Sequence, residues 1–132
     1  MNIPKLIEFQ QLGDPKLGYI SVAQNFQNVP FEIKRIYWVY DTPELIERGN
    51  HANRTGMNVL VSLKGTVNIY LETPQGIKYN YVLSSPNQGL YIPPLYWRRL
   101  KMTPEVVCLS IASSEFEESD YIRDYQEFLS YK

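Results

Sequence analysis

Asn58-Val59-Leu60-Val61-Ser62-Leu63-Lys64-Gly65-Thr66-Val67-Asn68-Ile69-Tyr70-Leu71-Glu72 is the stretch that decides the fold. Val59, Val61, Leu63 and then Val67, Ile69, Leu71 set an apolar side chain at every second position. Successive strand residues point to opposite faces, so a period of two marks half-buried strands rather than a helix. Lys64-Gly65 between the two sets predicts a hairpin that keeps both sets on one face.

Outward from this stretch the same grammar repeats. Runs rich in β-branched and aromatic residues are expected as strands over 18–24, 31–40, 58–63, 66–72, 78–83, 89–92 and 106–112, separated by Gly, Pro, Asn and Asp punctuation. Thr73-Pro74-Gln75-Gly76 is a turn with Pro early and Gly late, and Ser85-Pro86-Asn87 breaks the alternation of Tyr79, Tyr81 and Leu83. Helical spacing is confined to the end, where Tyr121, Ile122, Tyr125, Phe128 and Leu129 follow a cap at Ser119 or Asp120 and predict a helix against the outside of a sheet. The pattern is all-β with a short C-terminal helix.

The 132 residues fit one domain, 1–132, with no internal repeat or linker. Hydrophobic residues make up 44% and charged residues 20%, which excludes a disordered chain. Thirteen Lys and Arg stand against 14 Asp and Glu without a block of one sign, so no basic face argues for nucleic acid or an anionic membrane. Residues 1–10 lack the apolar core of a signal peptide and no run reaches membrane-spanning length, which places the expected protein in the cytoplasm. Cys108 lies in the apolar run Val106-Val107-Cys108-Leu109 and reads as a small buried side chain.

One histidine and one cysteine narrow the chemistry. His51 can serve a single site, and no glycine-rich phosphate loop of the Walker or dinucleotide type is present. Arg48-Gly49-Asn50-His51-Ala52-Asn53-Arg54, with Gly65 beyond it, resembles the first cupin motif, in which two histidines two apart point into a barrel. His51 fills the first ligand position, Asn53 replaces the second histidine, and Asn58 stands where an acid is usual. Gly89-Leu90-Tyr91-Ile92-Pro93-Pro94 with Trp97-Arg98 resembles the second motif, Arg98 standing where a histidine is expected. Amides are poor transition-metal ligands and a guanidinium cannot coordinate, so no metal and no cofactor is expected, and a metal-dependent cupin dioxygenase is the weakest reading.

The chain is narrower than cupins in general. Phe31-Glu32-Ile33-Lys34-Arg35-Ile36-Tyr37-Trp38-Val39-Tyr40, the His51 segment, the Tyr91 segment with Trp97, and Asp120-Tyr121-Ile122-Arg123-Asp124-Tyr125 with Phe128 resemble the bacterial dTDP-4-keto-6-deoxyglucose 3,4-ketoisomerases, or WxcM-like proteins. The resemblance runs from about Leu17 to Tyr131. It implies a cupin-type antiparallel β-barrel (jelly roll), a metal-free homodimer with exchanged N-terminal strands, and a dTDP-linked keto sugar as substrate, used in deoxyamino-sugar and surface polysaccharide biosynthesis. The family usually carries His-Ala-His and Trp-His where this chain has His51-Ala52-Asn53 and Trp97-Arg98.

Moving a carbonyl from C4 to C3 requires removal of the C3 proton and delivery of one to C4 through an enediol. A base titrating near neutrality suits this, and imidazole ordinarily does so at about 6.5. His51 is the expected base for both transfers, with Tyr37 and Asn53 beside it as donors to the developing enediolate, a task Arg48 also fits. Arg48, Arg35, Arg54 and Arg98 are expected to bind substrate, Arg98 through a diphosphate oxygen, while Trp97 or Tyr91 stacks on base or sugar. Two alternatives keep the same pocket: a non-catalytic or regulatory sugar-nucleotide-binding cupin, and a related sugar-nucleotide epimerase.

Overall fold

The computed structural model describes residues 2–132; Met1, the first residue of the expected leaderless N-terminus, lies outside the described residues. Two five-stranded antiparallel sheets face each other in a jelly roll. The first contains β1 (Lys5–Glu8), β4 (Arg35–Tyr40), β6 (Asn58–Lys64), β9 (Gln88–Ile92) and β11 (Val107–Ala112), in the order β1-β9-β6-β11-β4. The second contains β5 (Glu47–Asn53), β7 (Val67–Glu72), β8 (Lys78–Leu83), β10 (Trp97–Met102) and β12 (Tyr121–Ile122), in the order β12-β5-β10-β7-β8. A separate hairpin joins β2 (Leu12–Asp14) to β3 (Gly18–Ile20), and one helix, α1 (Tyr125–Leu129), follows β12. Among the described residues, no helix is long and apolar enough to cross a membrane.

All seven expected strands are present, two of them shorter: the segment 18–24 contracts to β3 and 31–40 to β4. The expected hairpin is not. β6 pairs with β9 and β11, whereas β7 pairs with β8 and β10, so Lys64-Gly65 is a corner between sheets. Gly65 turns it at φ +79, and a Cβ there would sit 2.7 Å from Val106 Cγ2. The two apolar sets therefore do not share a face. Val67, Ile69 and Leu71 join Leu60 in the inter-sheet core, while Val59 and Val61 lie in a second cluster with Phe9, Val29 and Phe31, and Leu63 is exposed. β6 is buried on both faces because the N-terminal segment covers its outer side.

The helix also starts later than expected. Asp124, rather than Ser119 or Asp120, caps it by accepting from the Gln126 N–H, since Tyr121 and Ile122 pair with Asn53 and Ala52 as strand β12. Helix α1 does lie on the outside of a sheet: Phe128 is fully buried among Ala52, Trp97 and Ile122. Removing a buried aromatic ring typically costs about 3–5 kcal/mol, so Phe128→Ala is expected to lower stability by roughly that amount, read from a urea unfolding midpoint.

The interior is divided lengthwise. Toward one end, residues including Leu60, Ile69, Leu83, Leu90, Ile92 and Met102 form a dry core, which also holds Cys108, whose thiol burial pushes up to about 12. Toward the other end, the same inward positions carry polar side chains. Outward-facing Ile36, Trp38 and Tyr40 on the edge strand β4 remain exposed.

Candidate active site

The polar end is assembled strand by strand. β4 turns Arg35 and Tyr37 inward by alternation with its exposed Ile36, Trp38 and Tyr40. β6 supplies Asn58, two residues before the core Leu60, and Asn58 Nδ2 donates to Ser110 Oγ on β11 at 3.2 Å. β10 supplies Arg98, in step with the inward Leu100 and Met102. β5 brings His51 opposite Arg98 across the sheet.

A bulge makes that pairing. Arg98 faces His51 while Arg99 faces Gly49, which leaves Asn50 as the extra residue. Gly49 and Asn50 both have positive φ, +92 and +55, and a Cβ on Gly49 would lie 2.8 Å from the Arg98 carbonyl oxygen. Glycine lets the two strands close together; asparagine tolerates the left-handed turn that aims His51 inward.

His51 Nδ1 lies 3.2 Å from the Gly49 carbonyl oxygen. A carbonyl can only accept, so Nδ1 carries the proton and Nε2 keeps its lone pair. Burial, followed by the positive charge of Arg98, lowers the His51 pKa to about 3. The expectation of a base titrating near neutrality is corrected here: the imidazole is held neutral throughout the physiological range. It is still not sealed off, being half-buried together with Tyr37, Arg35 and Tyr121.

Arg98 is not at the rim. It is 2% exposed and, among the described residues, the only hydrogen bond of its side chain runs from Nη1 to Asn58 Oδ1 at 3.0 Å, leaving Nε and Nη2 buried without partners there. Burial lowers its pKa, a trend opposed by Tyr37, Tyr121 and Asp120. An enclosed cation without a carboxylate partner costs several kcal/mol, which is tolerated where the charge serves a site. With Asn53, Asn58 and this guanidinium around one imidazole, the donor set does not fit a metal ion, and no step is derived through one.

The C-terminal segment closes the site and was not anticipated as part of it. Tyr121 packs its ring 4.9 Å from His51 and accepts a 3.1 Å hydrogen bond from Arg35 Nη2. Arg35 also lies over the Tyr37 ring, 4.9 Å from its centroid, and Arg123 over Tyr121 at 4.7 Å. Asp120 fastens the segment by accepting from Thr55 N at 2.8 Å, Thr55 Oγ1 at 2.9 Å, Asn53 Nδ2 at 3.1 Å and Gly56 N at 3.2 Å. Burial works against the Asp120 charge, yet these donors hold its pKa below the usual aspartate value.

Several expected site residues stand elsewhere. Asn53 is on the inner face but its amide nitrogen is engaged by Asp120, so it anchors the segment rather than offering that donor to a ligand. Arg54 points to the chain end, donating to Tyr131 Oη, to the Ser119 and Tyr121 carbonyls and to Glu127, with which it forms a 2.6 Å ion pair. Tyr91 is on the outer face of its sheet, against Phe31 and Val59, because β9 turns Leu90 and Ile92 inward. Trp97, the residue before the inward Arg98, packs outward on Tyr125 and Phe128 at 5.2 and 5.5 Å. It lines a cavity of about 590 Å³ with Asn50, Tyr70 and Arg99, a lining that does not include His51. Arg48 is exposed, and the neighbouring Glu47 pairs with Arg99 at 3.3 Å.

A family model described as "FdtA: WxcM-like, C-terminal" matches residues 2–132. TDP-4-oxo-6-deoxy-alpha-D-glucose-3,4-oxoisomerase of Aneurinibacillus thermoaerophilus is 34% identical over 128 residues, 96% of this chain and 91% of that protein. Among solved structures, QdtA, a sugar 3,4-ketoisomerase from Thermoanaerobacterium thermosaccharolyticum in complex with TDP, superimposes with TM-score 0.91 at 35% identity, covering 96% of this chain and 92% of that one. WlaRB, a TDP-quinovose 3,4-ketoisomerase from Campylobacter jejuni, gives TM-score 0.91 at 32% identity, with 98% and 99% covered. With a family match along the described length and a shared fold bearing a polar, histidine-centred end, the chain belongs to the WxcM-like family of sugar-nucleotide 3,4-ketoisomerases.

Proposed function

We propose that this protein moves the keto group between C4 and C3 of a dTDP-linked 4-keto-6-deoxyhexose, with His51 Nε2 carrying the proton from one carbon to the other. The observation that carries this reading is the imidazole itself: neutral, half-buried, fixed by the Gly49 carbonyl and facing a buried cation. Arg98 acts on the chemistry rather than on the diphosphate. Its charge favours the enediolate and disfavours a lasting imidazolium, so the proton His51 accepts is readily returned. Negative charge developing on the enediolate in turn offsets Arg98 and so favours the imidazolium that forms with it.

Arg35 and Arg48 are the cations left for the nucleotide diphosphate, and Tyr37 borders the sugar. Arg54, Tyr91 and Trp97 drop out because their side chains serve the tail, the N-terminal cover and helix α1. The similarity to TDP-sugar enzymes supports a dTDP ligand; a place in the cytoplasm and in deoxyamino-sugar assembly is part of the same proposal. A homodimer with exchanged N-terminal strands is supported by the isolated β2-β3 hairpin, with exposed Leu12, Tyr19 and Ile20, since two three-residue strands are not stable alone. Analytical ultracentrifugation is expected to give twice the mass of the chain.

The reaction is tested by incubating the protein with dTDP-4-keto-6-deoxyglucose in deuterated water. Deuterium at the carbons beside the ketone, with appearance of the 3-keto sugar, is the expected result. Binding without exchange would instead establish a non-catalytic sugar-nucleotide-binding cupin.

A further inference from the structure

A shift of a ketone from C4 to C3 moves more than the carbon-bound proton. The C4 oxygen begins as a carbonyl and ends as a hydroxyl, while the C3 oxygen does the reverse. One proton must therefore reach O4 and another must leave O3. A single imidazole that is busy at carbon cannot make both pairs of transfers at once, so the oxygen side needs its own carrier.

Tyr121 is the group at hand. Strand β12 places it on the same face as His51, because Tyr121 pairs with Asn53 and Asn53 lies two residues beyond His51. Its ring is 4.9 Å from the imidazole, and Asp120 locks its backbone to the 53–56 turn. The phenol oxygen already accepts from Arg35 Nη2 at 3.1 Å, and among the described residues its own O–H has no acceptor. The bond from Arg35 fixes the phenol oxygen and directs its O–H away from the guanidinium. Tyr37 lacks this arrangement: Arg35 lies over its ring, not against its oxygen.

Resting on the ketoisomerase reading above, we infer that the Tyr121 hydroxyl is the oxygen-side proton relay of this site, a catalytic residue complementary to His51. In the first half, Nε2 of His51 takes the C3 proton, the C3–H pair becomes the C3=C4 bond, the C4 carbonyl pair moves onto oxygen, and Tyr121 protonates O4. In the second, the C3=C4 pair takes the proton from the imidazolium at C4, the O3–H pair closes the C3 carbonyl, and the O3 proton passes to the Tyr121 phenolate. C3 is oxidised and C4 reduced within one molecule, and both residues return to their starting forms.

Tyr121→Phe keeps the ring against His51 and removes the hydroxyl, which also takes away the acceptor for Arg35 Nη2. The expected result, using dTDP-4-keto-6-deoxyglucose in deuterated water, is a fall in kcat of roughly 10²-fold or more with KM within a few-fold. Deuterium exchange into recovered substrate should fall much less, because His51 can still remove and return the C3 proton through an enediolate. Turnover at the wild-type rate would overturn the inference. Loss of exchange in step with turnover would also overturn it, by showing that Tyr121 serves only to hold the imidazole. Wild-type protein that neither exchanges nor isomerises would overturn the ketoisomerase reading itself, and the relay with it.

Discussion

His51→Asn is expected to abolish ketone transfer, lowering kcat by roughly 10²–10⁴-fold, the usual contribution of a positioned acid–base group. Asparagine nearly matches the imidazole in reach to the Gly49 carbonyl and preserves the β5 bulge, so folding and dTDP binding should survive. The loss should extend to deuterium exchange at carbon, since no second histidine exists to take over. Retention of exchange in the variant would show that another group removes the C3 proton.

The same substitution should alter stability against pH, with a definite sign. His51 titrates at about 3 in the folded protein and at about 6.5 unfolded. Between these values the unfolded chain binds the extra proton, so stability rises with pH through this window and is lost as pH falls from about 6.5 toward 3. The slope contributed is at most about 1.4 kcal/mol per pH unit. His51→Asn should remove that component, visible as a flatter dependence of urea midpoints on pH over the window.

Arg98→Met is expected to separate function from stability. The guanidinium is enclosed and, among the described residues, has two unpartnered nitrogens and no carboxylate hydrogen-bonded to it. Replacing buried ionic groups with apolar ones of similar volume is often stabilising by about 1–4 kcal/mol, and the unbranched methionine matches the arginine stem. The variant should therefore unfold at higher urea while its kcat falls, because the enediolate loses its nearest cation. The His51 pKa should rise, though not fully to 6.5, since burial is the larger cause of its depression. Imidazole resonances followed by NMR measure this directly. An unmoved titration would remove Arg98 as the source of the field on His51.

The Asn58–Glu72 alternation made the strands and the all-β class legible, and the single histidine with its neighbours pointed to the base. Polar strands were not legible. β5, Glu47–Asn53, has no apolar alternation at all because its inward positions are the site itself. β10 hid behind two arginines, although stepping back from Leu100 and Met102 by twos lands on Arg98 and marks it as inward. That arithmetic also sends Trp97 outward, away from any ligand at His51. Tyr91 is excluded by the same parity, since Leu90 and Ile92 face the core.

What the sequence determined by itself was local: periodicity of two, the turns at Thr73–Gly76 and Ser85–Asn87, a helix near the end of the chain, and one imidazole available for acid–base work. Only the tertiary structure decided that Lys64-Gly65 divides two sheets, that Asp120 ties a distant segment over the site, and that Tyr121 and Arg98 flank His51. The physical reason is that strand periodicity specifies which residues share a face, whereas the partner across that face is chosen by pairing between segments as distant as Lys5 and Tyr91, where chain entropy, corner geometry and desolvation act together.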